Sequence, residues 1–318
     1  MGRRWWRRLY WLRRDCPQLA RLEWSGPSAF VGFGGIGDEL LATCVLRELH
    51  RAAGRTVPIF ARYPELFAHN PDVARIWPAD PCVIETAATW GLDLRRPCEW
   101  QHDLDPDRQE PPIRHIIAEA AYAGGVRGRI ALRPYLDLTA SELEAAAPTV
   151  SLPVVTIQSS GATARYFFRN KEWGPRNFQS VVDALSHRFQ FIQLGAAEDP
   201  PLQGAIDRRG LGNLRDSAAV IARSAFFVGQ VGLLMHMARA VDRRAVIIFG
   251  GREWPQQSGY PCNENLFTQP PCAPCWRMNG CDFNRVCLSQ ITPASVLAAV
   301  DRLWPRLTQE LEITEVDL

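Results

Sequence analysis

The chain has 318 residues, enough for two domains of ordinary size, and a composition (47% hydrophobic, 22% charged) typical of a soluble globular protein. A formal charge of +2 excludes the broad basic surface of a general nucleic-acid binder. No apolar run approaches the roughly 20 residues that a bilayer-crossing helix needs.

The first fourteen residues, MGRRWWRRLYWLRR, carry six arginines and three tryptophans. They lack the apolar stretch and small-residue cleavage site of a secretion signal. Together with nine cysteines, this points to a reducing, cytoplasmic setting. In a helix, Trp5, Leu9 and Leu12 share one face. Such a segment either lies on an anionic membrane surface, as a peripheral contact on its inner face, or packs on its own domain with solvated arginines.

From Ser28 the pattern alternates. SAFVGF predicts a strand, GGIG a loop, and DELLATCVLRELHRAAG an amphipathic helix stopped by glycine. RTVPIFA is a second strand, and YPELFAHNPDVARIW a short helix, turn and return strand. Residues 80–115 give no clear pattern, and PPIRHIIAEAAYAGGV reads as a further helix. Near residue 150 the alternation restarts. PVVTIQSS, FQFIQLG, AFFVG and RRAVIIFG are strands, interleaved with the helices FQSVVDALSHR, SAAVIARS and VGLLMHMARAV; ITPASVLAAVDRLW is the last helix. Two βαβ systems predict an α/β fold of two Rossmann-like domains facing across a cleft, with ligands beyond the carboxyl ends of the strands. The expected division is a basic aromatic segment at 1–27, one domain at 28–148, a second at 149–300 containing a cysteine-rich loop at 262–287, and a C-terminal helix and tail at 301–318.

Residues 32–41 read GFGGIGDELL, in which Gly32, Gly34 and Gly37 satisfy the dinucleotide-binding spacing G-x-G-x-x-G. Asp38 follows in the first helical turn. A dehydrogenase would place an acid at the end of the second strand, where FARYPE has Arg62. A carboxylate about 4 Å from a phosphate is repelled by about 1 kcal/mol in water and about four times that near a protein surface. Two readings remain. Asp38 caps its helix beside a tight turn, or it projects into the cleft, ionised at neutral pH, as a base for an attacking hydroxyl.

GGIGDELLATCVLREL resembles the first loop and helix of the heptosyltransferase family, glycosyltransferase family 9, whose fold is GT-B. The resemblance continues through YPELFAHNPDVARIW, PYLDLTASELEAA, NKEWGPRNFQSVVDAL, DSAAVIARSAFFVG, RAVIIFG and CAPCWRMNGCDFNRVCLSQITPASVLAAV, from about Ser28 to Val300. It implies an acceptor-side first domain, with Gly34, Gly35 and Gly37 in its loop and Asp38 as general base, and a second domain that holds the donor. Lys171 in NKEW is implied to bind the donor's phosphates, where a cation stabilises the leaving diphosphate. Ser159 and Ser160 are implied as phosphate donors, Arg165 and Arg169 as further charge, and Glu198 or its neighbour Asp199 as a ribose ligand. The family's G-N-D-S-G-P-M-H stretch reads GQVGLLMH here. Val231 takes the acidic position, so Gly229, Gln230 and Gly232 are expected to contribute mainly backbone donors, and His236 keeps the family's histidine.

Cys272, Cys275, Cys281 and Cys287 form C-x₂-C-x₅-C-x₅-C, a set able to wrap one tetrahedral zinc or iron ion in a structural role. Free or oxidised cysteines in a loop explain the pattern equally, with Cys262 a spare ligand or bystander. The resemblance adds that some protein-heptosylating relatives hold iron at a similar run. The expectation is therefore an inverting glycosyltransferase with no catalytic metal. It uses an ADP-activated heptose or similar sugar, with a glycan, lipid-linked or protein acceptor and no nucleic-acid partner. The alternatives are a non-catalytic, metal-stabilised interaction module or an NADP-binding oxidoreductase.

Overall fold

The computed structural model describes residues 28–32, 34–89, 93–95, 107, 110–162 and 167–318. The arginine–tryptophan segment with Trp5, Leu9 and Leu12 lies outside the described residues, as does Arg165.

Strands β1 (Ser28–Val31), β2 (Val57–Ala61), β3 (Val73–Pro78) and β4 (Asp93–Arg95) form a parallel sheet in the order β3-β2-β1-β4. All five residues of VPIFA in β2 are buried, as expected of an inner parallel strand covered on both faces. Beyond β1 the chain turns into the helix Ile36–Ala53, which ends at Gly54 in the left-handed conformation (φ 64°). Its sequence predicts one apolar face, yet Glu39 to Leu46 are buried without interruption. The helix is enclosed because the helices Ile116–Ala123 and Leu233–Ala240 both pack against it. The featureless stretch 80–115 contains the helix Pro81–Thr89 and β4.

Strands β6 (Val154–Gln158), β7 (Gln190–Leu194), β8 (Ile206–Asp207), β9 (Phe226–Gln230), β10 (Ala245–Gly250) and β11 (Glu264–Phe267) form the second parallel sheet, ordered β11-β10-β9-β6-β7-β8. The chain builds outward from β6 through β7 to β8, then returns beside β6 at β9 and builds the other way. The β6–β9 boundary is therefore the switch point, where ligands of such sheets bind beyond the strand ends. Alternate residues of β9 feed different cores. Phe226 and Val228 join Phe178, Val182, Val296 and Leu303 on one face, while Phe227 joins Ile221, Met235 and Met237 on the other. That second core runs on without a break into Leu40, Val45 and Ile117 of the first half.

Buried Arg215 reinforces this junction. Its Nε donates to Glu142 Oε1 at 2.5 Å and its Nη2 to Glu142 Oε2 at 2.8 Å and the Asp137 carbonyl at 2.5 Å. The residues read as a C-terminal tail return to the first half, where β12 (Glu315–Asp317) pairs antiparallel with β5 (Arg129–Ala131). Among the described residues no helix is long and apolar enough to cross a membrane.

Candidate active site

Asp38 occupies the third position of the Ile36–Ala53 helix, and its Oδ2 accepts the Gly35 N–H at 2.7 Å. Gly34 is required twice over. Its φ is 66°, and a Cβ there would lie 2.2 Å from Asp38 Oδ2. The loop is thus built around the carboxylate. Capping and basicity do not compete for it, since a carboxylate offers about four lone-pair sites and this contact uses one. Next to it, buried Glu39 accepts the N–H groups of Arg62 (2.8 Å) and Tyr63 (2.9 Å) and so ties the loop to the end of β2. Burial raises the Glu39 pKa, and these two N–H groups work against the rise. The Arg62 side chain donates to the Gly34 carbonyl at 3.1 Å.

Gly37 lies at one of the contacts between the two halves. A Cβ there would stand 3.7 Å from His236 Cδ2 and 3.8 Å from Leu233 Cα, so the Gly34–Gly37 loop abuts the start of the Leu233–Ala240 helix. Gly232 caps that helix and borders open space, as a backbone approached by a ligand requires.

Lys171 is partly buried, its side chain 18% exposed. Its Nζ lies 2.6 Å from Glu253 Oε1 and 5.0 Å from the centre of the Phe168 ring. Burial lowers the Lys171 pKa; Glu253 and, more weakly, Asp38 oppose this, which puts the acid of the first half within electrostatic range of the lysine of the second. Glu253 is itself enclosed, 2% exposed, and accepts from Arg252 Nη1 at 2.7 Å and Ser258 Oγ at 2.5 Å as well. Burial penalises its charge, but Lys171 and Arg252 outweigh burial and hold its pKa at about 2. The Arg252 guanidinium sits 4.7 Å from the ring centres of both Phe168 and Trp276. Sequence reasoning missed Arg252 and Glu253. GREWP carries no motif that marks them, and only the fold removes them from water.

The other implied donor ligands fall into two groups. Ser160 and Gln230 converge at the switch point: Ser160 Oγ donates to Glu172 Oε2 at 2.9 Å, and Gln230 Nε2 and the Gly161 N–H donate to Glu172 Oε1 at 2.6 and 2.7 Å. Ser159 faces the other way. Fully buried, it donates to the Pro200 carbonyl at 2.8 Å and accepts from Gln193 Nε2 at 2.9 Å. Gly229 leaves room for an aromatic ring, since a Cβ would come within 2.3 Å of the Phe227 ring. Arg169 is exposed, and its backbone N–H donates to Asn279 Oδ1 at 3.0 Å. In the loop after β7, Glu198 is exposed, whereas Asp199 is buried and accepts the Ala196 N–H at 3.0 Å.

His236 is a core residue, its Nδ1 2.7 Å from the Tyr260 hydroxyl. Burial lowers its pKa to about 3, with His115 and Lys171 adding to the shift, and burial alone lowers that of His115 to about 4. Both are neutral in the folded chain at pH 7. Between their unfolded value of about 6.5 and these folded values, the unfolded state binds more protons, so stability falls with falling pH. Stability is expected to decline by about 1.4 kcal/mol per pH unit per histidine from pH 6 towards pH 4. In urea titrations at several pH values, His236→Gln should lower the slope by about 1.4 kcal/mol per pH unit.

The four cysteines of the loop are partly exposed and are not joined in disulfides. Cys272 and Cys281 both bear on the ionisation of Cys275, and the Arg285 N–H donates to Cys281 Sγ at 3.3 Å. Among the described residues, however, no three His, Cys, Asp or Glu side chains are gathered closely enough to hold a metal ion as they stand. The loop also braces the lysine. Buried Asn170, directly before Lys171, donates to the Arg277 and Gly280 carbonyls and accepts from Arg285 Nε. A separate cavity of about 380 Å³ is lined by Glu142, Pro148, Ile192, Arg208 and Val220, among others, and contains none of these site residues.

The fold and this junction define a parallel α/β protein with the fold of the heptosyltransferases. The iron-containing dodecameric glycosyltransferase TibC from enterotoxigenic E. coli superposes with a TM-score of 0.69 at 19% identity, over 91% of this chain and 81% of that one. A glycosyl transferase of family 9 from Veillonella parvula gives 0.65 at 15% identity, over 90% and 99%. The ADP-heptose lipopolysaccharide heptosyltransferase II of E. coli gives 0.66 at 15% identity, over 88% and 99%. No family model and no curated protein sequence matches the chain.

Proposed function

We propose that the chain is an inverting glycosyltransferase that moves a heptose or similar sugar from an ADP-activated donor to a hydroxyl of a glycan, lipid-linked or protein acceptor. In this reading residues 28–148 form the acceptor side and 149–300 the donor side of a GT-B cleft. One observation carries the reading: the Gly34–Gly37 loop, which holds Asp38, meets the start of the Leu233–Ala240 helix of the second half. A base for the incoming hydroxyl and a cation for the departing diphosphate then face one reaction centre. The solved structures with this fold include heptosyltransferases described with ADP-D-beta-D-heptose and with ADP, which supports the donor class.

Asp38 would take the acceptor proton as that oxygen attacks the anomeric carbon. The sugar–phosphate bond breaks on the opposite face, and the nucleoside diphosphate leaves towards Lys171, the Gly232 backbone and the Gln230 amide. Glu198 or Asp199 remains the reading for the ribose. No step draws on a catalytic metal. The test is to incubate the purified chain with a panel of nucleotide sugars and measure binding heat and release of free nucleotide. ADP-sugars are expected to bind and to turn over slowly against water; a panel that binds nothing would end the proposal.

For the cysteine loop we propose a structural iron or zinc ion held by Cys272, Cys275, Cys281 and Cys287. Four soft thiolates suit either metal, and TibC is described as iron-containing. Metal analysis of untagged protein should find about one ion per chain, reduced by Cys272→Ser; metal-free wild type would remove the ion.

A further inference from the structure

At the switch point, the hydrogen-bond donors that a phosphate would use are already engaged by a carboxylate of the chain itself. Glu172 takes the Ser160 hydroxyl, the Gly161 N–H and the Gln230 amide, one donor from each of three separate groups at the ends of β6 and β9. The arrangement is that of an anion cradle, closed by an anion that the sequence places next to Lys171. It is not a relaxed contact. Among the described residues Gln230 Oε1 is buried with no hydrogen-bond partner, although Gln230 is only 3% exposed. The amide is held with its N–H towards Glu172 while its carbonyl goes unmet, an arrangement that costs free energy. Gly161 is the near wall: a Cβ there would come within 3.3 Å of Glu172 Oε1 and 3.0 Å of Gln230 Nε2.

We propose that Glu172 is an internal stand-in for a phosphate of the nucleoside diphosphate, holding the empty cradle in its bound shape and leaving it when the ligand enters. This rests on the donor-binding role given above to the second half. Two anions cannot share these donors without strong repulsion, so ligand binding must displace the side chain, and affinity is lowered by the free energy of that displacement. Glu172 sets the affinity and exchange of the diphosphate without taking part in the chemical step.

The test is calorimetric titration of ADP, and separately of inorganic pyrophosphate, into wild type, Glu172→Gln and Glu172→Ala, with thermal melts of all three. If Glu172 is a stand-in, both variants bind both probes about tenfold more tightly than wild type, and Glu172→Gln melts near the wild-type temperature. If Glu172 is instead a permanent brace, wild type binds ADP, Glu172→Gln binds no more tightly, and Glu172→Ala binds more weakly and melts earlier; that pattern overturns the inference alone. If wild type and both variants bind neither probe, the donor-site reading itself fails and this inference fails with it.

Discussion

Asp38→Asn is expected to lower kcat for sugar transfer about 10²- to 10⁴-fold, the usual contribution of a positioned general base. Binding of the nucleotide donor should change by no more than a few-fold. The substitution is nearly silent structurally, because an asparagine oxygen can accept the same Gly35 N–H that Asp38 Oδ2 accepts at 2.7 Å. It keeps the shape beneath Gly34 and removes the group's charge and basicity. Loss of rate therefore cannot be assigned to a broken loop, which Asp38→Ala would leave open by removing the cap as well. Measured by release of free nucleotide with and without acceptor, the variant should lose acceptor-dependent turnover. A variant that transfers at the wild-type rate would reduce Asp38 to a helix cap.

Glu253→Gln is expected to have the largest effect on stability, a loss of about 3–5 kcal/mol in urea unfolding, because it leaves buried cations without their anion. Glu253 receives Lys171, Arg252 and Ser258 at once; Arg252 and Ser258 are buried and the Lys171 side chain is largely so. The neutral amide offers no charge to either cation and presents an N–H₂ group to one of them. Lys171→Met should behave differently. Glu253 then keeps Arg252 and Ser258, so the fold persists while ADP affinity falls. If Glu253→Gln unfolds at the wild-type urea midpoint, the triad is more hydrated than its burial implies. If Lys171→Met binds ADP like wild type, the lysine serves only Glu253.

The outline of the molecule was legible because a parallel sheet writes itself into the chain. VPIFA, FQFIQ, AFFVG and AVIIF are apolar runs of strand length, each followed or preceded by a helix with a glycine or capping polar residue at its end. The Gly34–Asp38 loop was legible for a similar reason: a left-handed turn under a helix start demands glycine whatever surrounds it. The antiparallel pair of Arg129–Ala131 with Glu315–Asp317 was not legible. Three-residue strands almost two hundred positions apart carry no periodicity of their own.

The sequence by itself determined the local conformations and the order of the elements, since backbone sterics and apolar spacing act over a few residues. Only the tertiary structure decided what the charged side chains do. It turned Lys171 inward onto Glu253, sent Ser159 to Pro200 and Ser160 to Glu172, and brought Gly37 against Leu233. Charge energetics depend on distance and on access to water, and both are set by parts of the chain far apart in sequence. Glu172, which would be solvated in an open loop, instead accepts three hydrogen bonds at the ends of β6 and β9.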